Sequence, residues 1–132
     1  MTSSNLENLV KTGGLKIEPP SESEYKGLIR SAKARLVDAR NSSLAPESRF
    51  DLAYNASHAL ALAALRRLGY RSDSRYLVFQ CLQHTLDIES TVWRVLAHCH
   101  QKRNLAEYEG YMEVDEQLIK ELIQAPDCAN LF

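Results

Sequence analysis

Hydrophobic residues recur every three or four positions along most of the chain, which is the spacing that places them on one face of an α-helix. The first long stretch of this kind covers residues 21–40. Its apolar face consists of Tyr25, Leu28, Ile29, Ala32 and Leu36. Ser21 and Glu24 form the pattern S-x-x-E, a capping box that satisfies backbone donors at a helix start. The sequence therefore predicts a helix over residues 21–40.

The next segment, residues 47–68, is apolar nearly all round, which is typical of a helix that is buried on all sides. Pro46 suits the first turn of a helix because no backbone donor is needed there, and Gly69 suits the position just after the end. Alanines such as Ala61 and Ala64 would let neighbouring helices approach closely. We expect this segment to be the central helix of the fold.

The remaining apolar patterns also have helical spacing. They predict a short helix at residues 3–12, a helix at 75–87, another from about residue 89 through Arg103, and a last one at 113–124 that ends at Pro126. No stretch alternates with a period of two for long enough to indicate a strand. Short loops between such helices favour an all-α fold, an antiparallel up-and-down bundle of four to five helices.

The chain divides by this pattern into three parts. Residues 1–20 form an N-terminal arm that contains Gly13-Gly14 and Pro19-Pro20, residues 21–125 form the bundle, and residues 126–132 form a C-terminal tail. A length of 132 residues suits one domain with its own core.

Composition and charge narrow the possible functions. Hydrophobic residues make up 45% of the chain and the net charge is −1, which argues against nucleic-acid binding by the whole surface but leaves room for a local basic patch. The three cysteines form no CxxC pair, so a secreted disulfide framework is not expected. The start of the chain is polar and no apolar run is long enough to span a bilayer, so we expect a cytoplasmic protein without membrane contact.

The sequence predicts neither a metal site nor a cofactor. His98 and His100 point about 200° apart on a helix and cannot share one ion there. The chain contains no HExxH, no glycine-rich phosphate loop and no GxSxG. The acidic residues between 107 and 116 are expected to stabilise the start of the last helix through its dipole.

The segment HCHQKRNLAEYEGY, residues 98–111, is the best candidate for function. Arg103 falls on the same helical stripe as Val92, Leu96 and Cys99, and an arginine on an apolar face must find a partner or line a cleft. Lys102 adds positive charge, and Asn104, Tyr108 and Tyr111 follow as groups that can hydrogen-bond to or stack on a ligand. The alternative is an ordinary solvated helix end, in which Arg103 pairs with Glu107 or with an acid on another helix.

Two segments carry a resemblance to a known family. RNLAEYEGYMEVDEQLIKELIQ resembles the last helical segment of HEPN domains (higher eukaryotes and prokaryotes nucleotide-binding), and FDLAYNASHALALAALRRLGYRS resembles their central helix. The signature of that family is an arginine, a polar residue that is often asparagine, and a histidine after four to six residues. Arg103 and Asn104 match it, whereas the histidine position falls on Tyr108 and the later tyrosine position falls on Gly110, one residue before Tyr111.

The resemblance implies a homodimeric helical bundle of toxin–antitoxin type that binds a nucleotidyltransferase partner, RNA or a nucleotide. Arg103 would contact phosphate, Asn104 would orient the ligand, and Tyr108 would stack or hydrogen-bond. The alternative that it implies is a divergent, metal-independent ribonuclease acting at a dimer cleft. A phenol with a pKa of about 10 is a poor general base at neutral pH, so Tyr108 in place of histidine favours the binding module.

Overall fold

The computed structural model describes residues 2–85, 90–110 and 114–128, and most of them are helical. The elements in chain order are α1 (Thr2–Lys11), β1 (Lys16–Ile17), α2 (Glu22–Ala39), α3 (Pro46–Arg67), β2 (Tyr70–Arg71), α4 (Arg75–Gln80), α5 (Leu82–Thr85), α6 (Ser90–Glu109) and α7 (Glu116–Cys128). The prediction of a predominantly helical chain is confirmed. No helix in the described ranges is both long and apolar enough to cross a membrane.

The central helix lies where the sequence places it. In α3, Phe50, Ala53 and Tyr54 are completely buried, and Ala61 is 1% exposed, whereas Ala64 is only partly buried. α3 contacts α2 along its length and also packs against α4, α6 and α7. Gly69 ends the helix with φ +91°, a left-handed conformation that a glycine adopts without strain. Because α3 is central, polar groups on its side chains can contact residues of several other helices.

The structure departs from the predicted helices at three places. Residues 75–87 do not form one helix, because the helix is interrupted at Cys81, between α4 and α5. Residues 86–89 lie outside the described ranges. α6 runs on to Glu109, so the candidate segment is helical almost to its end. Pro126 does not end α7, which continues to Cys128; a proline removes one backbone donor and crowds the carbonyl four residues earlier, which can kink a helix without ending it.

A short two-stranded sheet was not predicted from the sequence. β1 and β2 pair antiparallel, with Lys16 opposite Arg71 and Ile17 opposite Tyr70. Strands of two residues are too short to show an alternating pattern. The pairing joins the N-terminal arm to the chain that leaves α3.

The N-terminal arm belongs to the packed body of the protein. Leu6 and Leu15 are 1% and 2% exposed and lie in the main hydrophobic core with Phe50 and Tyr54. Arg66, which is 2% exposed, donates hydrogen bonds to the carbonyl oxygens of Glu18 (2.9 Å) and Pro19 (2.8 Å). The arm is therefore held both by apolar contacts and by a buried guanidinium.

The predicted capping box forms only in part. The Ser21 hydroxyl accepts a hydrogen bond from the Glu24 backbone N–H at 3.3 Å. The Glu24 carboxylate accepts hydrogen bonds from Arg66 and, at 2.5 Å, from Arg71. Two guanidinium groups therefore bind the carboxylate that the pattern assigns to the helix start.

Candidate functional site

Arg103 lies against the central helix. Its guanidinium carbon is 5.1 Å from the centre of the Tyr54 ring, a cation–π distance. Its nitrogens lie 3.6 Å from an Asp51 carboxylate oxygen and 3.8 Å from a Glu107 carboxylate oxygen, and its side chain is 29% exposed. Both ion pairs are longer than a hydrogen bond, so the planar donors are only loosely engaged.

Tyr54 is the residue around which the site is built. Its ring is buried in α3, and Arg75 from the start of α4 places its guanidinium carbon 5.5 Å from the ring centre. Arg75 also donates a hydrogen bond to the Asn55 side-chain oxygen at 3.0 Å. One buried aromatic ring thus gathers two guanidinium groups from α4 and α6.

His100 completes the site from α6. Its Nδ1 lies 2.9 Å from the Tyr54 hydroxyl, and its Nε2 lies 3.1 Å from the side-chain amide of Asn104. The Asn104 amide nitrogen faces Nε2 and donates to it, so Nδ1 carries the proton and donates to the Tyr54 oxygen; the other tautomer requires the Asn104 amide to be turned over, so that its oxygen accepts from Nε2. A neutral imidazole satisfies both partners in either case. We call Tyr54, Arg75, His100, Arg103 and Asn104 the Tyr54 cluster.

The electrostatics of the Tyr54 cluster favour an uncharged imidazole. Burial lowers the pKa of His100, and the positive charges of Arg75 and Arg103 lower it further, while Glu107 opposes them. Burial raises the pKa of Tyr54, although Arg75 and Arg103 reduce that effect. At neutral pH the cluster therefore presents two cations beside a neutral imidazole and a protonated phenol.

A second histidine, His58, lies on α3, one turn after Tyr54. His58 packs edge to face on Phe79, with 5.8 Å between ring centres. Burial lowers its pKa to about 4, and Arg75 and His100 add to this effect. His58 is therefore neutral at physiological pH and adds no positive charge near the Tyr54 cluster.

The predicted site residues do not all meet. Arg103 and Asn104 belong to the Tyr54 cluster, and Lys102 is partly buried beside them on α6. Tyr108 is 92% exposed and points into solvent. Tyr111 lies outside the described residues. The structure thus brings the arginine and asparagine of the proposed motif together with His100 rather than with Tyr108.

Sequence reasoning did not assign Tyr54, Arg75 or His100 to the site, although His100 lies within the candidate segment 98–111. Tyr54 counts as an apolar core position by spacing, but a buried tyrosine hydroxyl needs a partner, and that requirement was a usable signal. His100, Arg103 and Asn104 stand at i, i+3 and i+4, which places them on one face of α6. Arg75 carried no local signal, because only the path of the chain between α3 and α4 brings it to Tyr54.

The chemistry available here is anion binding with an aromatic neighbour. Tyr76 is 38% exposed, and its ring centre lies 6.0 Å from that of His100, so it can meet a base or another flat ligand. Burial raises the pKa of Cys81 to about 11 and that of Cys99 to about 12, which keeps both thiols protonated and poor nucleophiles. Within the described ranges, no three histidine, cysteine or acidic side chains come together as metal ligands would.

Comparison with known proteins adds no relative. No protein-family model matches the chain, and searches of curated proteins and of solved structures return no similar protein. The resemblance to HEPN domains therefore stays a prediction.

Proposed function

We propose that the chain is a HEPN-like module of toxin–antitoxin type that binds RNA or a nucleotide at the Tyr54 cluster. The observation that carries the proposal is that the guanidinium carbons of Arg103 and Arg75 both lie within cation–π distance of the Tyr54 ring centre, at 5.1 and 5.5 Å. A guanidinium group suits a phosphate, which accepts paired hydrogen bonds from its planar donors, and two of them at one ring concentrate positive charge there. Tyr76 and Asn104 would hold the attached sugar or base.

The direct test is nucleotide binding by an Arg103→Ala variant. Adenosine monophosphate is the probe, and titration calorimetry on the wild type and the variant measures its affinity. Loss of a charge-assisted donor should weaken binding by roughly 1.5–3 kcal/mol. Arg103→Lys should restore only part of it, because a lysine cannot supply two parallel donors. Arg94→Ala, which removes an exposed cation from the same helix, is the matched control.

A purely structural role for Arg103 gives a different result. Its ion pairs with Asp51 and Glu107 would then stabilise the contact of α6 with α3. Arg103→Ala would lower the melting temperature and leave the affinity for the nucleotide unchanged. Thermal unfolding and calorimetry on the same preparation distinguish the two roles.

A second function, metal-independent ribonuclease activity, is favoured by His100. A neutral imidazole can take a proton from a ribose hydroxyl, and the neighbouring guanidinium groups can stabilise charge that develops on the phosphate. The test is cleavage of RNA in the presence of EDTA by the wild type and by His100→Ala. Cleavage that the variant loses supports the enzyme; intact RNA with retained nucleotide binding supports the binding module.

The proposal includes a homodimer and a nucleotidyltransferase partner. Leu105 and Tyr108 support the dimer, because they are 58% and 92% exposed one turn apart on α6. Sedimentation at micromolar concentration should give a dimer that Leu105→Glu dissociates, and a wild-type monomer would count against the homodimer.

Co-expression with a nucleotidyltransferase from a neighbouring reading frame, followed by capture of the untagged partner, tests the proposed interaction with that enzyme.

A further inference from the structure

The outer face of α2 carries a row of basic side chains. Lys26, Arg30 and Lys33 follow each other at steps of four and three residues, and Arg40, the C-cap residue directly after α2, comes seven residues later in helical conformation, so the four share one side. All four are exposed. We call this row the α2 basic stripe.

The stripe is not the face by which α2 packs. The apolar side of the helix, including Ala32 and Leu36, is buried against Ala56 and Leu60 of α3. Since that contact already covers the apolar side, the row of cations is left toward solvent. α2 therefore has an apolar face that is buried and a separate basic face that is exposed.

Positive charge is concentrated after the first turn of α2, which itself carries Glu22 and Glu24. Residues 25–40 contain five basic residues and one acidic residue, whereas the whole chain contains 16 basic and 17 acidic residues. The rest of the protein is therefore acidic. Such segregation creates a local positive potential on a protein whose net charge is close to zero.

The arrangement is linear rather than convergent. With a rise of about 1.5 Å per residue, the row from Lys26 to Arg40 is about 21 Å long. Val37 lies within the row and is 64% exposed, which places an apolar contact between the cations. A line of cations with an apolar neighbour suits a strand of phosphates with unpaired bases better than it suits one isolated phosphate.

We propose that the α2 basic stripe binds the phosphate backbone of single-stranded RNA. Lys26 also pairs with Glu22 at 3.7 Å, but both side chains are largely exposed, and such pairs contribute little, so phosphate can compete for the ammonium group. An anionic membrane is the less suitable occupant, because the apolar side of α2 is buried on α3 and cannot enter a lipid layer.

The stripe and the Tyr54 cluster lie on different sides of α3. Ala56, which meets α2, and Tyr54 are two residues apart and point about 200° from each other. The inference therefore extends the proposed function without resting on it. RNA bound at the stripe and a nucleotide bound at the cluster can be measured separately.

The experiment compares two variants that remove the same charge from the full-length protein. The stripe variant is Lys26→Gln, Arg30→Gln and Arg40→Gln, and the control variant is Lys11→Gln, Arg94→Gln and Lys120→Gln, which are exposed cations on three other helices. Fluorescence anisotropy measures the affinity for a labelled single-stranded RNA between about 50 and 200 mM salt. Each phosphate contact contributes about 0.7 to the slope of log affinity against log salt for single strands.

The stripe variant should lose affinity and its salt slope should fall by about 2, while the control keeps the wild-type slope. An equal loss in both variants would overturn the proposal, because it would show a response to net charge alone. Unchanged RNA binding, with reduced binding to vesicles of phosphatidylserine, would assign the stripe to a membrane instead. Affinity for adenosine monophosphate should not change in the stripe variant; its loss in Arg103→Ala tests the Tyr54 cluster independently.

Discussion

The charge state of the Tyr54 cluster depends on single residues, and the pKa of His100 is the quantity most directly affected by them. Its imidazole is partly buried near Arg75 and Arg103, and these three influences disfavour the charged form more than Glu107 favours it. The same two guanidinium groups that would bind phosphate therefore keep the histidine neutral. A bound phosphate would reverse this effect, because its negative charge lies next to the ring.

We predict that the pKa of His100 lies below the value of about 6.5 found in unstructured chains. Arg75→Gln should raise it, because a positive charge near the imidazole is removed. The pKa can be followed by NMR titration of the ring nitrogens, with Arg94→Gln as the control for an exposed cation on the same helix as His100. A pKa that stays the same in Arg75→Gln would show that the two side chains do not interact.

At the scale of elements, ionic contacts join the arm, α2 and α3. Arg66 and Arg71 both bind the Glu24 carboxylate, and both also pair with Glu18 of the arm. The hydrogen bond from Arg66 contributes most to lowering the pKa of Glu24, followed by that from Arg71. A carboxyl group with a lowered pKa stabilises the fold above its unfolded pKa and loses that contribution as the pH falls through the folded value.

Glu24→Gln should therefore lower the free energy of unfolding by about 1–2 kcal/mol at neutral pH. The value is below that for breaking a fully buried pair, because Glu24 is 34% exposed and Arg66 keeps its carbonyl partners. Urea unfolding measures the difference, which should shrink below the unfolded pKa of about 4.5, because the unfolded wild-type chain takes up a proton there that the folded carboxyl group takes up only at lower pH. Glu22→Gln is the control on the same helix, with an expected change below about 0.5 kcal/mol. Equal effects of the two variants would contradict the importance of the Arg66 contact.

The contact of α2 with α3 depends on small side chains. Ala56 is completely buried where the two helices meet. Ala56→Leu should cost roughly 1–3 kcal/mol, because added methylene groups have no space in a packed interface. Ala34→Leu, on the exposed side of α2, should change stability little. Thermal melting of both variants tests this, and an unchanged midpoint for Ala56→Leu would mean that the interface is loose.

Helical periodicity predicted most of the elements, because each long helix has to cover a continuous apolar face. The ends of α3 and the hydroxyl caps at Ser21 and Ser74 also follow from local chemistry. The break at Cys81 and the strand pair do not, since they depend on contacts between distant segments.

The candidate site was predictable only in part, for the same reason. Arg103 and Asn104 stood out within one helix, but their relation to Tyr54 and Arg75 arises from the packing of three helices. Spacing along one helix could not reveal that relation.

For the whole molecule, two partly buried histidines, His58 and His100, make stability depend on pH. The folded pKa of His58 is about 4, below the value of 6.5 for an unperturbed side chain. As the pH falls below about 6.5, His58 takes up a proton in the unfolded chain, whereas in the folded chain it is protonated only at about pH 4. The free energy of unfolding therefore decreases across this window, by roughly 2–3 kcal/mol from His58 alone. His100 adds to the decrease in the same direction, because its pKa is also lowered.

We predict that His58→Gln makes the pH dependence of stability shallower between about pH 6.5 and pH 4. The variant removes the group that titrates differently in the folded and unfolded states, while His100 leaves a smaller dependence in place. Urea unfolding at a series of pH values gives the slope, with His98→Gln as a control because His98 is exposed on α6. The slope is the informative quantity, since a glutamine in a partly buried position also lowers stability by a constant amount. A slope equal to that of the wild type would show that His58 protonates as readily in the folded protein as in the unfolded chain, and would remove the electrostatic link between His58 and the Tyr54 cluster.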